Sequence, residues 1–214
     1  MAKEVNNFLN GNRKPTKTDY VLAKAYYPML IEFAKNLQET TFQNFVENAK
    51  LKYPQSNEVQ NAIPVTTGRR LEYIRIFTTR ENLPDLSSWI TSKGGNNSDT
   101  YLADFNPALE REKTTEVDWD SYNEKWEEYL KKLDKQTEKL IKRKEAEALK
   151  LMSKHAQKLE EKIKALVPNP KKLKYFELVT PYRQPILQDL MDGKDVEESF
   201  DDAIFDVVTE WYSD

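Results

Sequence analysis

Apolar side chains recur at helical spacing in the first part of the chain, after a polar and basic arm of residues 1–18 that we expect to be flexible. Asp19 can cap the first helix, and Pro28 inside its pattern predicts a kink or a fresh start. A second helix is predicted to begin at Thr40 or Thr41. The inward positions are Leu22, Tyr26, Met29, Leu30, Phe33 and Leu37 in the first helix, and Phe42, Phe45, Val46 and Ala49 in the second.

The pattern then changes from helical periodicity to alternation. Residues 67–81 predict a third helix, while residues 86–92 alternate with a period of two, which favours a strand. Residues 93–98 are rich in glycine and asparagine and predict a hairpin tip, from which Tyr101 and Leu102 return as a second strand. Three helices followed by a hairpin predict a winged helix-turn-helix. The third helix carries Arg69, Arg70, Arg75 and Arg80 among its apolar positions Leu71, Ile74 and Phe77.

Residues 121–166 contain neither proline nor glycine and predict one long helix of about 70 Å. Its apolar stripe follows coiled-coil spacing up to Leu140, is disturbed at Lys144 and then resumes, which is typical of a stutter. The stripe can fold back onto the preceding domain, but its length favours self-association as a homodimer or an antiparallel helical pairing. The predicted oligomerisation contacts are Leu130, Leu133, Leu140, Met152, Leu159 and Ile163.

The C-terminal segment is acidic and amphipathic. After the prolines at 168 and 170 and a short basic patch, a last helix carries apolar side chains on one face and acids largely elsewhere. Such a face requires a partner, either the rest of this chain or a host or phage protein. The predicted partner-binding residues are Phe200, Ile204, Val207 and Trp211.

Charge is segregated along the chain. Residues 189–214 carry ten acids and one base, a net charge of −9; because the whole chain has −3, residues 1–188 carry +6. Such asymmetry suggests contact with nucleic acid, contact with a partner, or masking of one by the other. We therefore divide the chain into a flexible basic arm (1–18), a winged-helix-like domain (19–119), a long helix (120–167) and an acidic helical segment (168–214).

Composition excludes several classes of function. The chain has no cysteine, which excludes disulfides and thiolate zinc sites and suits the cytoplasm. No run of about 18 apolar residues is present, so we expect no membrane partner. The single histidine, His155, lies on or near the apolar stripe, where packing is the simpler interpretation. No phosphate-binding glycine loop occurs, so no nucleotide cofactor is expected.

A magnesium nuclease is the enzyme class that these residue types leave open, because it needs two or three carboxylates and a lysine around one metal-bound water. Two groups of acids are candidates for such a site, and neither lies on a predicted pair of strands that would hold the ligands rigidly. We therefore expect no catalytic residues and no metal. The two groups are Asp189, Asp192 and Lys194, and Asp118, Asp120 and Glu124.

Five stretches of the sequence carry a resemblance to a known kind of module. Residues 27–35, 41–49, 68–76, 82–87 and the run to 116–119 resemble a winged-helix-like module of poorly characterised phage and mobile-element proteins. The similarity covers about residues 26–126. The usual wing tip of that family, Gly-x-Pro-Gly, is replaced here by Gly-Gly-Asn-Asn. The resemblance implies DNA handling in a phage or anti-phage setting, without a defined reaction.

The predicted function is non-catalytic DNA binding, as a regulator or as an accessory to DNA processing. Arginine can bind guanine bidentately in the major groove, whereas lysine mainly supplies charge to phosphates. The alternatives are an inhibitor that uses the acidic surface to bind a host protein, and a coiled-coil adaptor. Burial of the helix arginines in intramolecular ion pairs would contradict the DNA interpretation. The predicted DNA-binding residues are Arg69, Arg70, Arg75, Arg80 and Lys93.

Overall fold

The computed structural model describes residues 14–91, 106–166 and 182–212, without the side chains of residues 163–166 and 205–212. The chain is mainly helical, as predicted, and divides into two compact units, Met1–Thr137 and Glu138–Asp214. In unit 1 the elements are α1 (Lys17–Lys35), β1 (Thr40–Thr41), α2 (Phe42–Lys52), α3 (Asn57–Gln60), α4 (Thr67–Arg70), α5 (Glu72–Arg80), β2 (Ile90–Thr91), α6 (Pro107–Thr115) and α7 (Asn123–Thr137). Unit 2 contains α8 (Glu145–Leu166), α9 (Arg183–Met191) and α10 (Val196–Tyr212).

The first helix begins with a capping box. The Thr16 hydroxyl accepts the Asp19 backbone N–H, and the Asp19 carboxylate accepts the Thr16 backbone N–H in return. Thr16 is therefore the cap, and Asp19 is the third helical residue rather than the cap predicted from the sequence. Pro28 lies inside α1 on its exposed side, and the helix runs through it without a second start.

The core of unit 1 is built around the buried face of α1 and a set of aromatic rings. Tyr27 stacks on Trp126 of α7 with 4.1 Å between ring centroids, and Phe77 of α5 meets the same ring edge-on at 5.0 Å. Leu130 and Leu133 of α7 are buried in this core. These two residues of the predicted oligomerisation stripe therefore pack inside unit 1. For α7 the less favoured alternative, a stripe that folds back onto the preceding domain, is the one that the structure shows.

The segment predicted as the first strand of the wing has a different structure. Residues Leu86–Trp89 form a 3-10 helix, because the Asp85 carboxylate accepts both the backbone N–H and the hydroxyl of Ser87. The strand that follows is limited to Ile90–Thr91 and pairs in parallel with β1, with Thr40 opposite Ile90. The predicted tip at 93–98 and the return strand at 101–102 lie outside the described residues.

The prediction of one uninterrupted helix over 121–166 is wrong. α7 ends at Thr137 and α8 begins at Glu145, and the two helices belong to different units. The residues between them make tertiary contacts that a continuous helix would not allow. The Arg143 backbone N–H donates to the carbonyl of Met191 at 2.9 Å. Tertiary contacts therefore outweigh the helix propensity of this segment.

Unit 2 buries the apolar face of the acidic helix. Phe200 and Ile204 of α10 lie in its interior, together with Leu159 of α8 and Ile186 and Leu190 of α9. Phe200 and Ile204 thus pack within the chain instead of facing a separate partner. The side chains of Val207, Trp211 and Ile163 are outside the described part of the structure. Of the remaining predicted oligomerisation residues, Leu140 and Met152 are half-buried.

Candidate nucleic-acid interface

Arg70 of the predicted recognition helix is buried in an ion pair. Its Nη1 lies 2.5 Å from Oδ1 of Asp19, and the Arg70 side chain is 4% exposed. The same carboxylate accepts the Thr16 backbone N–H and hydroxyl, so it joins the start of α1 to α4. Removing one partner from a buried ion pair leaves the other charge uncompensated, which is strongly destabilising.

Arg75 has a comparable structural role in α5. Its Nε donates to the Ser87 hydroxyl at 2.9 Å and lies 3.4 Å from the Asp85 carboxylate. This guanidinium fastens α5 to the 3-10 helix that begins at Leu86. The side chain of Arg69 is also buried, at 6% residue exposure.

The expectation that Arg69, Arg70 and Arg75 face DNA is therefore wrong for this structure, and DNA recognition through this helix, the form of binding predicted from the sequence, is contradicted with it. Arg70, Ile74 and Phe77 are spaced four and three residues apart, which places Arg70 on the apolar face. This spacing is the sequence feature from which the burial of Arg70 could have been predicted. The carboxylates that pair with Arg70 and Arg75 come from distant or following segments, Asp19 and Asp85, and not from within the helix itself.

Arg80, at the end of α5, is the one predicted DNA-binding arginine that the described structure exposes, with 58% of its side chain accessible. The neighbouring Glu81 accepts a hydrogen bond from Lys125 Nζ at 2.8 Å. This bond, with the charges of Lys125, Arg80 and Lys132, holds the pKa of Glu81 below its usual value. Three cations thus surround one carboxylate on the exposed side of α5 and α7. The fifth predicted residue, Lys93, lies outside the described residues.

The second half of α7 extends this positive region. Lys132 and Lys135 are exposed, and Lys135 is ten residues beyond Lys125, about 15 Å along the helix. We call Arg80, Lys125, Lys132 and Lys135 the basic surface. The acids of α7 are concentrated in its first half, so the distribution also complements the helix dipole.

Three carboxylates in the described part of the acidic helix are paired with lysines of unit 2. Glu197 binds Lys158 and Lys162, and Asp201 binds Lys162 at 2.6 Å. Asp202 is buried against Lys194. Charge neutralisation within unit 2 thus accounts for much of the described part of the acidic segment.

The candidate nuclease residues do not form a metal site in the described structure. Asp189, Asp192 and Lys194 are buried, and Lys194 pairs with Asp202. Among Asp118, Asp120 and Glu124, all exposed, Asp120 pairs with Lys35 at 3.2 Å. No group of three or more metal-binding side chains occurs among the described residues. The half-buried His155 has Nδ1 2.9 Å from the carbonyl of Leu151, one turn earlier in the same helix.

Comparisons with protein-family models, with curated proteins and with solved structures find no match to this chain. The resemblance to phage winged-helix modules therefore stays a prediction. No helix in the described ranges has the length and apolar character needed to cross a membrane.

Proposed function

We propose that this chain is a non-catalytic DNA-binding protein that contacts phosphates through the basic surface. The observation that carries the proposal is the cluster of exposed cations beside Glu81: Arg80 Nε lies 3.9 Å and Lys125 Nζ 2.8 Å from its carboxylate, and Lys132 is exposed about two turns beyond Lys125 on α7. Flexible exposed cations are the side chains that neutralise DNA phosphates and release counterions.

This mode of binding differs from the one that the sequence suggests. Bidentate recognition of guanine needs arginine side chains that can enter the major groove. Arg69, Arg70 and Arg75 are held inside unit 1, so the proposed contacts are to the backbone of DNA. Phosphate contacts position a protein without reading sequence, which fits an accessory of DNA processing better than a sequence-specific regulator.

The alternative of an inhibitor that presents free acidic charge has weaker support. Glu197, Asp201 and Asp202 each pair with a lysine of unit 2, whereas around Glu81 three cations share a single carboxylate and leave positive charge in excess. The coiled-coil adaptor is weakened likewise, because Leu130 and Leu133 are buried in unit 1. DNA binding is therefore the function that the exposed side chains support best.

The test compares two triple variants of the full chain with equal loss of charge. R80Q/K125Q/K132Q removes cations of the basic surface, whereas K35Q/K52Q/K113Q removes three exposed, carboxylate-paired lysines elsewhere in unit 1. Affinity for a fluorescent duplex is measured against salt concentration. In the first variant, the slope of log affinity against log salt concentration should become less steep by about 0.9 for each phosphate that the variant no longer neutralises. Equal reductions in both variants, or no salt-dependent binding by the wild type, would contradict the proposal.

A further inference from the structure

The chain between α7 and α8 is fixed to the end of α9 in unit 2. Gly193 has φ of +96° and ends α9 in a Schellman motif, in which Lys194 N–H donates to the carbonyl of Asp189. A Cβ on Gly193 would lie 2.5 Å from the carbonyl oxygen of Ile141, so only glycine allows this approach. The Arg143 guanidinium donates to the carbonyls of Leu190 and Lys194. The backbone on both sides of residue 142 is thereby held in place.

This fixed segment presents an apolar side chain among lysines. Ile141 is 84% exposed, although its backbone is packed against Gly193. Lys139, Lys142 and Lys144 are exposed, and residues 139–144 contain no acid. Within the described residues of unit 2, no other large apolar side chain reaches comparable exposure. The segment therefore combines exposed positive charge with one isoleucine whose position is set by the fold.

We infer that this segment is a second DNA contact, in which the three lysines bind phosphates and Ile141 packs against the sugars or bases between them. The inference rests on the proposed function and adds a part of unit 2 to it. Proteins that bind the minor groove of DNA combine cationic contacts with an apolar side chain, isoleucine among them, that is frequently inserted between base steps. An anionic bilayer also attracts lysines, but stable adsorption there requires a broad apolar face rather than one side chain.

The phosphate contacts of the lysines and the apolar contact of Ile141 can be tested separately, because they respond differently to salt. Phosphate contacts determine the slope of affinity against salt, whereas an apolar contact contributes at all salt concentrations. The full-length variant I141S should therefore weaken binding to a fluorescent duplex by roughly five- to tenfold with an unchanged salt slope. The variant K139Q/K142Q/K144Q should reduce the slope instead. L51S is the matched control, because Leu51 of unit 1 is 80% exposed and lies outside both lysine groups.

The outcomes separate this inference from the proposed function. If I141S and L51S bind DNA as the wild type does, while R80Q/K125Q/K132Q loses affinity, the second contact is wrong and the basic surface stands. If the wild type shows no salt-dependent DNA binding, both proposals fail. Vesicles containing phosphatidylserine are the other probe. Wild-type binding to vesicles that I141S abolishes, with DNA affinity unaffected, would overturn the inference in favour of a membrane surface.

Discussion

At the scale of single residues, an arginine on a predicted DNA-binding helix can belong to the core. The sequence correctly places Arg70 in a helix, and in the single helix predicted over 67–81 its spacing from Ile74 and Phe77 puts it on their face, although the structure divides that helix at Leu71. What the sequence does not show is the buried carboxylate of Asp19, 51 residues earlier, that makes burial of the guanidinium possible. A short-range pattern identifies faces of a helix, but it does not identify the long-range partner of a charge.

The structural role of Arg70 predicts a large effect on stability. R70A leaves the Asp19 carboxylate buried without this guanidinium, and we expect the free energy of unfolding to fall by about 3–5 kcal/mol. R80A is the control: because Arg80 is exposed, we expect it to cost less than about 1 kcal/mol. Urea unfolding of both variants provides the comparison. Similar reductions in the two variants would show that the buried pair does not stabilise the fold as described.

At the scale of elements, the helices over 17–35, 42–52 and most of 67–81 agree with the periodicity of the sequence. The predictions that are wrong fall where a specific contact overrides a local pattern. Asp85 turns an alternating segment into a 3-10 helix by accepting two hydrogen bonds from Ser87. The long helix is interrupted because Arg143 is tied to the end of α9, a partner that lies some 50 residues later in the chain.

The burial of α7 predicts different costs for two leucines of the same stripe. Leu133 is buried in unit 1, whereas Leu140, in unit 2, is half-buried. L133A should lower the free energy of unfolding by about 2–5 kcal/mol, and L140A should cost distinctly less. Light scattering before unfolding should give L133A the mass of the wild type. A lower mass for both variants, with little reduction of stability, would instead support the homodimer contacts predicted from the sequence.

The contact of α10 with α8 predicts an acid-dependent contribution to stability. Hydrogen bonds from Lys158 and Lys162 lower the pKa of Glu197 from its ordinary value of 4.5. A carboxyl group whose pKa is depressed by folding stabilises the native state fully above its unfolded pKa. That contribution is lost as the pH falls through the lower, folded pKa. An NMR titration should therefore find the Glu197 pKa below 4.5 in the wild type, and closer to 4.5 in K158Q/K162Q.

Two further observations check this electrostatic account. The difference in unfolding free energy between the wild type and E197Q should stay constant above about pH 5 and shrink on acidification below it. An unshifted Glu197 pKa in the wild type would mean that Lys158 and Lys162 do not hold the carboxylate in solution. Its ion pairs would then be incidental to the docking of α10, which would depend on the burial of Phe200 and Ile204 alone.

At the scale of the whole molecule, the segregation of charge seen in the sequence has a local explanation in each unit. In the described part of the acidic segment, Glu197, Asp201 and Asp202 are paired with lysines of the same unit, among them Lys162 and Lys194. In unit 1 the buried arginines of α4 stabilise the fold, and four of the exposed cations, Arg80, Lys125, Lys132 and Lys135, form the basic surface. Net charge therefore predicts that contacts with polyanions are possible, but burial decides which residues can make them.

The central claim is that DNA is bound through its phosphates without recognition of sequence. The most direct test is to measure the affinity of the wild-type chain for several duplexes of equal length and unrelated sequence, each over a range of salt concentrations. We expect affinities within a few-fold of one another and a common, steep salt dependence. Preference for one duplex by roughly a thousandfold or more, which is typical of specific recognition, would contradict the claim, as would an affinity independent of salt.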